Sequence, residues 1–189
     1  MTTSYIAYWV LHKLSIPIDI RNVCVFLAPV FAAFTSIAAY LLTREITRKS
    51  QAGLFAALFM SIVPSYMSRS VAGSYDNEGV SIFALVFTFF VYIKSLNTGS
   101  LMWSMYASLA YLYMVASWGG YAFIINIIPI LVLFILIIGK MSTRLYVSYS
   151  IFYVAGTLFA MQIPFVGFQA IYSSEHLASH GVFAFLQVR

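Results

Sequence analysis

Six apolar runs, at residues 23–42, 52–66, 80–93, 101–116, 121–138 and 145–166, take up more of this 189-residue chain than the polar segments between them. A chain patterned this way cannot cover itself with polar surface. With 62% hydrophobic residues, 8% charged residues and a mean hydropathy of +0.94, it reads as an integral membrane protein. Each run predicts one spanning helix, giving an all-α, polytopic transmembrane bundle of about six spans. Several runs fall short of the ~20 residues that cross the hydrocarbon core unaided, so their helices extend into flanking polar residues or sit in thinner bilayer. The loops are short, which makes neighbouring helices antiparallel and residues 1–189 one transmembrane domain without a separate soluble one. Aromatic residues, 18% of the chain, suit repeated crossings of the membrane interface. Cys24 is the only cysteine, so no internal disulfide can form. The residues after Met1 show neither a basic stretch nor a small-residue cleavage site and do not resemble a signal peptide.

The charges orient the bundle. Arg44, Arg48 and Lys49 share one loop, Lys94 lies in the next but one, and Lys140 and Arg144 lie in the next but one again. This puts them on one side, predicted cytoplasmic by the excess of Lys and Arg in such loops. The net charge of +5 is therefore a topology signal, and no nucleic-acid partner is expected. The other side receives Lys13 and Arg21, the loop from Arg69 to Glu78, the turn at residues 117–120, and residues 167–181.

Two of the five carboxylates, Asp76 and Glu78, stand within three residues of each other in that loop, between two apolar runs. Charges at such a place are costly and usually functional. Residues two apart point about 200° away from each other on a regular helix, so the pair converges on one cation only in a loop or a first helical turn. Gly73 and Gly79 permit such a backbone. Paired carboxylates suit hard divalent cations such as Mg2+ or Mn2+, yet two acids are half a metal site and need oxygens from elsewhere. The competing reading is structural: Asp76 or Asn77 caps the next helix while Glu78 meets the positive end of its dipole. Arg69 is open to the same two readings. It either snorkels or pairs with Asp76, or it offers a planar fork of donors to an anionic substrate or leaving group.

Four stretches in order, PIDIRNVCVFLAP at 17–29, SRSVAGSYDNEG at 68–79, SWGGYAFIINIIP at 117–129 and QIPFVGF at 162–168 followed by SEH at 174–176, resemble the catalytic subunit of eukaryotic oligosaccharyltransferase. The resemblance implies part of a GT-C glycosyltransferase membrane domain in the endoplasmic reticulum, with the acidic loop luminal. It implies an inverting transfer of an oligosaccharide from dolichyl diphosphate to the asparagine of an Asn-X-Ser/Thr sequon in an acceptor polypeptide, within membrane lipid and beside other oligosaccharyltransferase subunits. By the same resemblance Asp76 and Glu78 help bind Mn2+ or Mg2+, and Arg69 serves catalysis. Trp118 matches an aromatic near the donor's first sugar or diphosphate, although a tryptophan at a turn is also an ordinary interface anchor.

The chain departs from the family in what it lacks. No residue before Asp19 is acidic, so the carboxylate of the family's first luminal loop is missing, and with Trp9, Trp103 and Trp118 all isolated there is no Trp-Trp-Asp-Tyr-Gly motif. The chain is therefore expected to be an internal fragment, inactive on its own. Glu175 sits in a Ser-Glu-His setting whose neighbours fit an earlier loop, so no acceptor role is carried to it. His176 and His180, four apart, make a weak zinc case and are expected to be solvated loop residues. Residues 83–92 and 106–113 read as lipid-facing or packing surface, with a groove between them that could take a polyprenyl tail. Two alternatives stand beside the enzyme: an ion-coupled secondary transporter, and a non-catalytic truncated membrane protein.

Overall fold

In the computed structural model, which describes residues 2–188, every regular element among the described residues is helical. The order is α1 (Thr2–Lys13), α2 (Ile20–Thr47), α3 (Ser50–Ile62), α4 (Pro64–Met67), α5 (Asn77–Thr98), α6 (Leu101–Ser117), α7 (Tyr121–Ile137), α8 (Thr143–Met161) and α9 (Gln169–Tyr172). A 3-10 turn at Ser174–His176 and α10 (Leu177–Val188) follow. α2 and α5 are long and apolar enough to cross a membrane, and α3 and α7 are shorter apolar helices.

The six expected runs all fall on helices, but two boundaries move. The run at 52–66 breaks at Val63, because Pro64 has no N–H and takes the first position of α4 instead of continuing α3. The run at 145–166 leaves the helix at Met161 and turns, with Gly167 at φ 46°. Two regions read as loop or polar segment are helical, α1 and α9–α10. Neither carries an apolar stretch long enough to stand out; α10 is held by the burial of Val182 and Leu186 against the bundle.

Local chemistry marks the ends of the long helices. Asp19 caps α2 by accepting from the Arg21 N–H at 3.1 Å, and Ser142 caps α8 by accepting from the Leu145 N–H at 3.3 Å. α5 stops at Gly99, whose φ of 66° suits glycine and whose N–H returns to the Ser95 carbonyl at 2.8 Å. An added Cβ there would also lie 2.7 Å from Arg144 Cγ.

α5 is the centre of the bundle, packed on α2, α6 and α8. Its buried side joins a ring cluster in which Phe152 meets Tyr92 at 5.2 Å and Tyr111 at 5.6 Å between centroids. Further along, three fully buried serines knot the helices together. Ser95 bonds Ser104 at 2.7 Å and donates to Ser148 at 2.8 Å. Small polar residues let backbones approach closely where no water is available to satisfy them. α7 is held mainly by α10.

The ends of the helices sort as the charge pattern predicts. Asn97 donates to Glu45 at 2.9 Å and Arg144 donates to the Asn97 carbonyl at 3.3 Å, so the loops after α2, α5 and α7 share one end. At the other end the Thr3 and Tyr113 hydroxyls are 3.1 Å apart and those of Ser4 and Tyr75 are 2.7 Å apart. Ser148→Leu is expected to overfill the serine knot and cost about 1–3 kcal/mol. Ser148→Ala, which leaves Ser95 its bond to Ser104, is expected to cost about 1 kcal/mol. Thermal unfolding of the two variants in detergent checks that order.

Candidate functional site at the acidic loop

The loop between α4 and α5 is pinned by its own backbone. Ser70 donates its hydroxyl to the Tyr66 carbonyl at 2.6 Å, and Gly73, at φ 93°, donates its N–H to the Val25 carbonyl of α2 at 3.0 Å. Tyr75 then reaches α1 through Ser4. These ties bring the chain to Asp76 in an extended conformation, φ −126° and ψ 157°, from which α5 starts. Gly79 lies inside α5, where an added Cβ would make ordinary contact with Ala28, so only Gly73 of the two glycines serves the loop's conformation.

The capping reading of the acids is met in this geometry. Asp76 is the N-cap of α5, with Oδ1 accepting from the Asn77 N–H at 2.6 Å, and Glu78 lies in the first turn near the positive helix end. The arginine's partner differs from the expected one: Arg69 pairs with Glu78, Nη1 to Oε2 at 2.5 Å, and not with Asp76. A regular helix would have stacked residues 69 and 76, but the turn at 68–75 aims Arg69 at the first helical turn instead. Only one oxygen of Asp76 is engaged, and the carboxyl faces a cavity of about 540 Å3 whose wall includes Thr3, Tyr75, Asn77, Tyr113 and Ser117. The extended cap followed by a first turn is the backbone on which Asp76 and Glu78 could share a cation. Among the described residues no group of three or more His, Cys, Asp or Glu could hold a metal ion, so the two carboxylates have no third such ligand beside them.

Trp118 ends α6, its N–H bonded to the Met114 carbonyl at 3.0 Å. Its ring is 46% exposed and lies over Gly120, where an added Cβ would sit 2.3 Å from it. The residue before it, Ser117, lines the cavity, and Trp118 does not. A second cavity, about 300 Å3, opens between α5 and α6 and is lined by Phe83, Phe87, Trp103, Tyr106 and Tyr113. Those at 83–92 and 106–113, read from the sequence as lipid-facing or packing surface, thus also line a cavity.

The whole chain, residues 1–189, matches the family model described as oligosaccharyl transferase STT3, N-terminal. This chain belongs to the STT3 family. It is 55% identical over 188 residues to the dolichyl-diphosphooligosaccharide–protein glycosyltransferase subunit stt-3 of Caenorhabditis elegans, a match covering 100% of this chain and 25% of that protein. The STT3 chain described here thus spans about a quarter of the length of the curated relatives it matches. Its fold is that of the archaeal oligosaccharyltransferase AglB of Archaeoglobus fulgidus, solved with an inhibitory peptide and a dolichol-phosphate. The TM-score is 0.77 at 20% identity, over 97% of this chain and 24% of that one. A second structure of the Archaeoglobus fulgidus enzyme, in complex with Zn and sulfate, gives a TM-score of 0.77 at 21% identity, over 97% of this chain and 26% of that one.

The STT3 chain also holds a feature opposite to the sequence expectation. His176 is buried, 2% exposed, with Nδ1 2.8 Å from the Ser173 hydroxyl and its ring against Tyr121 and His180. Helix α10, unforeseen in the sequence, folds over it. His180 bonds the Tyr153 hydroxyl at 2.8 Å and the Ile171 carbonyl at 3.0 Å. Burial holds the His176 imidazole below the usual histidine range, His180 pushes the same way and Glu175 opposes them. Neither Tyr75 nor Ser117 stood out in the sequence; a tyrosine directly before an acidic pair was the available signal for the first.

Two predictions follow from these contacts. Gly73→Ala, forced to a positive φ, is expected to cost about 1–2 kcal/mol and to loosen the loop; hydrogen exchange at Tyr75–Asn77 amides reads it. Because a lowered folded pKa means protonation favours the unfolded segment, the packing of residues 169–188 is fully present above about pH 6.5 and weakens as pH falls below it. Corrected for the intrinsic pH dependence of exchange, the amide protection of that segment should fall on acidification in the wild type, and less so in His176→Gln.

Proposed function

We propose that this chain is part of the catalytic membrane domain of an oligosaccharyltransferase, one transmembrane GT-C unit over residues 1–189, acting in protein N-glycosylation. The complete protein transfers an oligosaccharide from dolichyl diphosphate to the asparagine of an Asn-X-Ser/Thr sequon. It works in the endoplasmic reticulum membrane beside other oligosaccharyltransferase subunits, with the acidic loop luminal. The observation that carries this reading is the acidic loop itself: Asp76 capping α5 with one carboxylate oxygen uncommitted toward a cavity, and Glu78 paired with Arg69 two residues on. Their place at the start of a helix, between spans, suits an interfacial reaction better than ion transport at the membrane centre.

The donor set fits a divalent cation in part: Asp76 and Glu78 are the carboxylates that would hold Mn2+ or Mg2+, each keeping an oxygen outside its cap bond or ion pair. When bound, the cation neutralises negative charge on the diphosphate. In the transfer the sequon's amide nitrogen attacks the anomeric carbon with inversion, the bond from that carbon to the diphosphate oxygen breaks, and the amide gives up one proton.

This chain's own groups prepare that event. The Arg69–Glu78 pair fixes both side chains, and since the arginine is 54% exposed it keeps donors for the departing diphosphate. Aimed in advance, such donors need little reorganisation as charge develops. Trp118, exposed and next in sequence to the cavity-lining Ser117, offers an aromatic face to the donor's first sugar or diphosphate. The groove between α5 and α6 takes the polyprenyl tail.

Full-length enzyme assayed with a lipid-linked donor and a sequon peptide tests the reading. Asp76→Ala and Glu78→Ala are each expected to cut transfer by about a hundredfold or more. Chelation should abolish transfer and Mn2+ restore it. Arg69→Lys, which keeps the charge but loses the fork, should lower transfer less than Arg69→Ala. Wild-type transfer by both carboxylate variants would overturn the assignment.

A further inference from the structure

At the end of the bundle remote from the acidic loop, α2 and α5 enclose a pocket of about 320 Å3 lined by Leu41, Arg44, Glu45, Arg48, Phe90 and Lys94. Its charges do not cancel. Glu45 is its one carboxylate, and that group is already engaged, accepting from Asn97 at 2.9 Å and pairing with Arg48 at 3.6 Å. Arg44 and Lys94 have no carboxylate partner among the described residues. Each is steadied by aromatic rings instead. The Lys94 ammonium lies 4.1 Å from the Trp103 ring centre and 5.5 Å from that of Phe90, and the Arg44 guanidinium lies 6.0 Å from that of Tyr40. Ring faces attract a cation without carrying net charge, so both side chains are held in place with their charge uncompensated.

We infer that this pocket binds the phosphate group of an anionic membrane lipid, at the membrane face opposite the acidic loop. Three features specify the ligand. An arginine fork and a lysine point charge facing one cavity suit phosphate oxygens. The positive excess, three cations against one carboxylate, selects an anionic headgroup over a zwitterionic one. Leu41 and Phe90 supply an apolar wall on the side of the membrane-crossing helices, which a lipid's glycerol and first acyl carbons use and a free phosphate ion does not. Basic pockets between membrane helices are a recurrent setting for such headgroups. The site is independent of glycosyl transfer: Lys94 follows Asp76 by 18 residues, about 27 Å along α5.

Binding of a fluorescent phosphatidylinositol to the full-length protein in detergent micelles tests this. The labelled lipid should bind, should be displaced by unlabelled phosphatidylinositol, and should not be displaced by phosphatidylcholine. Arg44→Gln and Lys94→Gln should each weaken binding by about fivefold, while Lys94→Arg retains it. Competition on the wild-type protein and the Lys94→Arg variant keep the test valid should either glutamine variant unfold. The proposal is overturned if both glutamine variants bind phosphatidylinositol like the wild type or if phosphatidylcholine competes equally. Displacement by millimolar inorganic phosphate overturns the lipid as the source of the phosphate group.

Discussion

Burial of one helix on three sides governs this structure. Inside a bilayer no water satisfies a polar group left unpaired, which favours partners within the protein for the hydroxyls of α5. Ser81 and Thr88 donate back to carbonyls four residues earlier at 2.7 Å each, and Ser95 joins Ser104 and Ser148. With these groups paired, α5 packs on α2, α6 and α8, and of its hydroxyls that of the buried Tyr92 is left without a partner among the described residues. Both of its ends then become fixed reference points, one carrying Asp76 and Glu78 and the other Lys94 and Asn97.

The ion pair at the first of those ends is a matter of aim more than stability. Arg69 and Glu78 are 54% and 30% exposed, and pairs so accessible to solvent contribute about 0–1 kcal/mol. What the pair does is restrict two flexible side chains to one geometry beside a cavity. Asp76 is treated differently. Its cap bond to the Asn77 N–H uses a single oxygen, so serving the helix and serving a cation do not exclude each other. The two readings that the sequence set in opposition are compatible on one side chain.

Much of this was legible from residue order. The apolar runs located the helices, the basic loops sorted their ends, and the motif at 68–79 singled out the loop that the geometry places on a cavity. What escaped was set by partners distant in sequence. The preference of Arg69 for Glu78 depends on a turn that hydrophobic pattern cannot encode. His176, one of two histidines without a third ligand, looked solvated, yet it is buried beside the short helix α10. Gly79 was read with Gly73 as permitting the loop's backbone, whereas it lies inside α5 and its neighbours in space leave room for a Cβ. A proline one residue past an apolar helix was the visible warning at Val63, and it was outweighed by the hydrophobicity around it.

The tie between Tyr75 and Ser4 joins residues 71 apart in the chain, and the bond from Gly73 to Val25 spans 48. Contacts of such long sequence separation form late, because the loops between them must close first. Asp76, placed by these two ties, therefore reaches its position only after α1, α2 and α5 have assembled. During synthesis the acidic loop would emerge as a mobile segment and gain its fixed geometry as a product of bundle assembly.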